Sequence, residues 1–191
     1  MKVPQLKKKT ELKSCHNTNW EDDYSWVHQP NILEVLKDSS KLDPEVRKYL
    51  EEENNYTEHH LKDTKGIQKT LFDEIKGRIK LDDESIPFKD RNYEYWTRTT
   101  TKGNYSIKLR KKIGTDLIEE YWNGDEEKKK LNTEYFGVGD IEVSYNDKIL
   151  GYSLDLKGSE YYTIYLRDIK TNKIISEKIK DTAGGITFSL D

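Results

Sequence analysis

One cysteine, Cys15, stands in a chain of 191 residues, so no internal disulfide can form and no cysteine cage for a metal exists. Apolar residues are scarce too, at 33% against 36% charged, which implies a thin core. No apolar run approaches bilayer-spanning length, and the lysine-rich N-terminus lacks the apolar stretch of a secretory signal. No membrane partner is expected, and the cytoplasm is the expected compartment. A net charge of -3, with acids and lysines interspersed, leaves no strong field to capture nucleic acid. The blocks Lys7-Lys8-Lys9 and Lys128-Lys129-Lys130 are exceptions, but Glu126 and Glu127 neutralise the second locally, and both read as solvated faces. Also missing are a Gly-x-Ser-x-Gly elbow, a phosphate-binding glycine loop and a His-Glu-x-x-His pair. No catalytic, cofactor-binding or metal-binding residue is therefore assigned, and no cofactor is expected.

Aromatics are what the chain does have. Thirteen Tyr and four Trp bury large areas while keeping a polar atom for a rim, which compensates for the few aliphatics and argues against disorder. Residues 1 to about 20 read as a polar, extended arm, followed by Trp20-Glu21-Asp22-Asp23-Tyr24-Ser25-Trp26, whose aromatics are spaced to pin that arm on a core. Asp43-Pro44-Glu45 is a helix start, with an N-cap acid and proline at the first helical position. That helix should run through Val46, Tyr49 and Leu50 towards Leu61 and break at Gly66. A second follows, with Ile67, Leu71, Ile75 and Ile79 each four apart. These apolar faces need a partner. His59 and His60 are adjacent on the first helix and point about 100° apart, so they read as a surface pair.

From Ile86 onward the period changes to alternation. Tyr93 to Arg98, Ser106 to Lys111 and Leu117 to Trp122 read as three strands; Ile141 to Ser144, Ile149 to Leu154, Tyr162 to Arg167 and Ile174 to Ile179 read as four more. Gly137-Val138-Gly139-Asp140 and Gly184-Gly185 read as connectors, since each precedes a strand rather than a helix. Ile141-Glu142-Val143-Ser144-Tyr145-Asn146 recurs in form as Ile186-Thr187-Phe188-Ser189-Leu190-Asp191, about 45 residues later, the period of a propeller blade. The expected fold is mainly β with an N-terminal α-helical arm: residues 1–84 the arm, and residues 85–191 a partial β-propeller of two blades and the start of a third. Two blades cannot close a ring, so further blades are expected downstream. Asp155 and Glu160 flank Lys157-Gly158-Ser159 between two strands, where a carboxylate could project towards a cleft or another domain.

The segments Asp23-Tyr24-Ser25-Trp26, Val46 through Asn54, Glu74-Ile75-Lys76-Gly77-Arg78-Ile79, Tyr93-Glu94-Tyr95-Trp96-Thr97-Arg98, Gly151 through Asp155 and Gly158 through Asp168 occur in an order that resembles the N-terminal part of the prolyl oligopeptidase family of serine peptidases. Within the family, the Glu-Glu-Asn helix segment and the stretch from Asp155 to Asp168 are most similar to the oligopeptidase B group. The resemblance implies a seven-bladed propeller that restricts entry and an α/β-hydrolase domain carrying the triad. The implied partners are that missing domain and short peptides, cut after Arg or Lys. No triad or specificity residue of the family matches a position here, so the isolated chain is expected to be inactive. Post-proline cleavage is the alternative within the family, and a free-standing propeller-like binding module the alternative outside it.

Overall fold

His16 and Asn17, with φ of 47° and 62°, reverse the polar start of the chain between β1 (Glu11–Cys15) and β2 (Thr18–Asp22). Positive φ at both central residues is what a two-residue hairpin turn needs. A hairpin thus replaces the extended arm expected from composition. It is held by its backbone ladder and by Asp23, which accepts from Lys8 Nζ at 2.6 Å and Thr10 Oγ1 at 2.7 Å. The computed structural model describes residues 1–190, in two units, Met1–Arg78 and Ile79–Asp191.

In the first unit the aromatic run does not bury one side, because Trp20 and Tyr24 stay 46% and 45% exposed. Trp26 alone is tied down: its Nε1 donates to Lys7 O at 2.9 Å and the Lys9 ammonium lies 4.0 Å from its ring centre. A short helix α1 (Ile32–Lys37) precedes α2 (Pro44–Leu61), which starts where the sequence places it. Asp43 Oδ1 accepts from Glu45 N at 2.8 Å and Val46 N at 3.1 Å, satisfying two of the orphan donors at the helix start. Gly66 does not break the helix. A tight turn over Lys62–Thr64 does, with Thr64 Oγ1 bonded to Leu61 O at 2.7 Å, and α3 (Lys65–Gly77) carries Gly66 harmlessly in its first turn. Ile67, Leu71, Phe72 and Ile75 leave their stripe on α3 half or more exposed.

The second unit is two open antiparallel sheets. In the first, β3 (Asp83–Glu84) and β4 (Phe88–Asp90) both pair with β5 (Tyr93–Thr99), followed by β6 (Ile107–Lys112) and β7 (Ile118–Asn123). An unforeseen helix, α4 (Gly124–Leu131), leads to the second sheet. Asn123 Oδ1 caps it, accepting from Glu126 N at 3.2 Å; acids fill its first turn, lysines its last, and left-handed Asn132 ends it. The second sheet runs in the order β8 (Gly137–Val143), β9 (Ile149–Asp155), β10 (Tyr162–Asp168) and β11 (Ile179–Thr182).

Three strand-level expectations are corrected. Gly137-Val138-Gly139-Asp140 is no connector but the first half of β8, bulged between Val138 and Ile141. A Cβ at Gly139 would lie 2.6 Å from Ser153 Oγ, which is why only glycine fits. The edge strand β11 begins at Ile179, while Ile174 makes only a single bridge to Arg167. Ile174 and Ile175 are 47% and 49% exposed, so little burial holds that stretch in the ladder. Ile186 to Leu190 forms no strand: a strand needs a ladder partner, and none pairs with it among the described residues. It lies instead as a strap across β9, where Ser153 Oγ donates to Gly184 O at 2.6 Å and Ile186 N donates to Asp140 Oδ2 at 3.0 Å.

Aromatics fill the space between the sheets. Trp122 of β7 packs at 4.9 Å on Tyr152 of β9, which stacks at 5.1 Å on Tyr165 of β10, with Phe136, Leu150 and Leu154 completing the buried cluster.

The strap supplies a test. A Cβ at Gly151 would stand 3.1 Å from both Ile186 Cγ2 and the Phe188 ring. Gly151→Leu is expected to lift the strap and destabilise the chain by about 1–3 kcal/mol, the usual cost of overpacking. Urea unfolding, with limited proteolysis to detect the freed strap, would measure both effects.

Candidate interaction site at the sheet junction

The hairpin turn between β8 and β9 places Asp147 in a left-handed conformation, φ 62°, and leaves it 6% exposed. Its carboxylate reaches across to the first sheet, accepting from Asn92 Nδ2 at 2.8 Å and Tyr95 OH at 3.3 Å, with Arg91 Nε at 3.5 Å. Arg110 of β6 closes the contact from beneath. Its Nη1 donates to Asp147 O at 2.7 Å, its Nε donates to Glu119 Oε2 at 2.8 Å, and its guanidinium lies 4.2 Å from the centre of the Tyr93 ring. Burial works against the charge on Arg110 but is outweighed by Glu119 and Tyr93, so the guanidinium is held protonated more firmly than usual. Burial first, and then the Asp147 charge, push the Tyr95 hydroxyl up.

A second polar bridge crosses the same junction. Glu127 of α4 accepts from Arg167 Nη1 of β10 at 2.7 Å and from Lys130 Nζ at 3.0 Å, while Arg167 Nη2 donates to Tyr121 O at 3.4 Å. The Arg167 guanidinium also lies 5.0 Å from the Tyr152 ring centre. Burial of Glu127 opposes its charge, yet the hydrogen bonds from Arg167 and Lys130 win and hold its carboxyl below the usual range. Glu127 is therefore far more than a local counter to the lysine block. Burial also pushes the Tyr152 hydroxyl up to about 12.

On the turn side of the junction a groove of about 600 Å³ opens between Tyr93, Arg110, Glu119, Asp147, Lys148 and Asp168. The sequence-selected carboxylates lie elsewhere. Asp155, 2% exposed, accepts from Lys157 N at 2.9 Å, Gly158 N at 3.0 Å and Glu160 N at 2.8 Å, so it shapes its own loop. Glu160 is exposed in that loop at φ 60°. The four histidines, His16, His28, His59 and His60, all belong to the first unit, and His59 meets His60 edge-on at 5.4 Å. The deepest serine, Ser153, spends its hydroxyl on Gly184 O and Asp140 N. The polar groups of the junction are thus spent on aligning the two sheets. Sequence reasoning missed Asp147, Arg110, Glu127 and Arg167, which meet across the junction partners 37 or more residues away in the chain. The one local signal was the Asn146-Asp147 turn.

A family described as prolyl oligopeptidase, N-terminal beta-propeller domain, matches residues 4–189. Dipeptidyl aminopeptidase BI of Pseudoxanthomonas mexicana is 28% identical over 203 residues, 98% of this chain and 27% of that protein. Protease 2 of Moraxella lacunata is 25% identical over 184 residues, 94% of this chain and 25% of that protein. The chain thus spans about a quarter of the length of these curated relatives. Among solved structures, oligopeptidase B from Leishmania major superposes with a TM-score of 0.81 at 21% identity, over 100% of this chain and 28% of that one, which shows a shared fold. Among the described residues no helix is long and apolar enough to cross a membrane.

Two measurements probe the junction. Arg167→Met takes from the buried Glu127 its buried partner, leaving only the exposed Lys130, and should cost about 3 kcal/mol, whereas Arg167→Met with Glu127→Leu should recover most of that loss, because no buried charge then remains unpaired. The depressed Glu127 carboxyl stabilises the fold above the ordinary carboxylate range, and that stabilisation is lost as pH falls through its lowered value. Glu127→Gln should flatten the acid limb of the stability curve; an unchanged limb would show that the pair carries no linkage.

Proposed function

Because this chain belongs to the prolyl oligopeptidase family, as part of its N-terminal β-propeller domain, we propose that it forms the opening portion of a serine oligopeptidase resembling oligopeptidase B, which hydrolyses short peptides after Arg or Lys. The observation that carries this reading is the junction: two sheets packed face to face through Trp122 and Tyr152, with a strap already laid on the far face of the second. That step, repeated, builds a ring. Residues 85–191 would supply two blades and the start of a third of a seven-bladed propeller. Residues 1–84 would wrap an α/β-hydrolase domain, whose surface would cover Ile67, Leu71, Phe72 and Ile75. Glu160, exposed in its loop, would be the carboxylate that meets that domain, with Asp155 holding the loop that bears it.

In this reading the chemistry belongs to the hydrolase domain, where a serine attacks the peptide carbonyl, histidine takes its proton and an acyl-enzyme forms. The ring restricts access, admitting slender peptides and excluding folded proteins. This segment, with its single cysteine, forms no internal disulfide, which supports a cytoplasmic setting for the enzyme. A second reading, release of dipeptides from a free N-terminus, is favoured by the name of the 28%-identical relative.

The 191-residue chain, purified, is expected to leave arginyl, prolyl and dipeptidyl amides uncut. Cleavage that survives removal of contaminating proteases would overturn the assignment of the chemistry to another domain. A longer chain that carries this segment and a hydrolase domain should cut the arginyl amide, and preference for the dipeptidyl amide would establish the second reading instead. A cooperative, monomeric melt of the 191 residues alone would favour the free-standing binding module.

A further inference from the structure

We propose that the strap, residues 184–190, is a hinged flap over the far face of the second sheet, opening and closing while the sheet beneath it stays folded. It is built from an anchor, a pivot, a latch and a seat, and it operates whether or not the chain serves a peptidase.

Gly184 is the anchor. It is buried, its N–H donates to Thr182 Oγ1 at 3.2 Å, and its carbonyl accepts from Ser153 Oγ at 2.6 Å. Its φ of 91°, with the Tyr162 ring 2.9 Å from where a Cβ would stand, leaves room for glycine alone. Ser153 is fully buried and also accepts from Asp140 N at 2.9 Å, so the anchor is tied to both β8 and β9. Gly185 is the pivot. It is exposed, and nothing beyond its chain neighbours lies within 4 Å of where its Cβ would stand. The residue type with the widest backbone freedom thus sits in open space directly after a fixed one.

Asp140 is the latch. Its Oδ2 accepts from Ile186 N at 3.0 Å, while its Oδ1 accepts from Ile141 N at 2.8 Å at the β8 bulge. Gly151 is the seat, with Ile186 Cγ2 and the Phe188 ring 3.1 Å from the position its Cβ would take. Beyond the latch the hold is light. Ile186 and Phe188 are half-buried, Thr187 and Ser189 are exposed, and Leu190 is 77% exposed. Lifting them forfeits part of the transfer energy of two apolar side chains, and no strand ladder has to be unzipped. β9, by contrast, is paired on both sides, to β8 and to β10. Such a difference in support lets one segment open at a lower free energy than the whole fold. Opening bares Gly151 and Ser153.

Native-state hydrogen exchange on the 191-residue chain tests the flap, with the Ile186 amide followed beside those of Tyr152 and Tyr165 in the ladder. Ile186 is expected to exchange at a rate that urea hardly changes, whereas Tyr152 and Tyr165 should exchange with the steep urea dependence of global unfolding. Asp140→Ala should speed Ile186 exchange about tenfold, the effect of losing a hydrogen bond to a charged acceptor, and leave it insensitive to urea. Gly185→Ala, which meets no steric obstacle, should slow it about two- to fivefold by restricting the open chain. An equal urea dependence at all three amides would show that the strap opens only with the sheet and would overturn the proposal. So would an Ile186 rate indifferent to Asp140→Ala or raised by Gly185→Ala.

Discussion

Everything in the second unit depends on one constraint: two sheets must meet face to face across an interface that contains charges. Leu150, Tyr152 and Leu154 from one sheet and Trp122 from the other supply the apolar area, but the rims are closed by Asp147 reaching into Asn92 and Tyr95 and by Glu127 reaching Arg167. Apolar burial is non-directional and would tolerate many angles between the sheets. A carboxylate that must meet several donors tolerates few. The hydrocarbon and aromatic surfaces hold the sheets together, and the polar bridges fix where they stop sliding.

The same division of labour explains how an apolar fraction of 33% suffices. Tyr152 and Tyr165 stack with their rings 7° from parallel, and the guanidinium of Arg167 lies over the face of Tyr152, so a charged residue extends the aromatic stack rather than interrupting it. Tyr93 and Arg110 repeat the device nearer the turns. The strongest local interactions are therefore built from residues that a hydropathy reading scores as surface.

That is also why the fold was more legible than the site. The strands at Tyr93, Ser106, Leu117, Ile149 and Tyr162 announce themselves by alternation, and the start of α2 by Asp43 and Pro44, because those signals are local. Helix α4 was hidden by its composition, for a run of acids followed by lysines with one leucine has no apolar stripe; its stability comes from its cap, its dipole and the buried Glu127. Ile186 to Leu190 misled in the opposite sense, since alternation records a capacity to form a strand and pairing decides whether one forms. Arg110 and Arg167 carry no distinguishing local pattern and Asp147 only that of its turn, and their importance appears once distant turns are brought together. Asp155 was noticed for its position beside a glycine turn, and that turn is where its carboxylate is used.

The strap across β9 bears on how such a chain is made. The far face of the second sheet is sealed only after residues 184–188 have left the ribosome, since Gly151 and Ser153 are covered by Ile186, Phe188 and Gly184. The second sheet is thus incomplete without the segment that follows it in sequence, and its four strands alone would leave Gly151 and Ser153 uncovered.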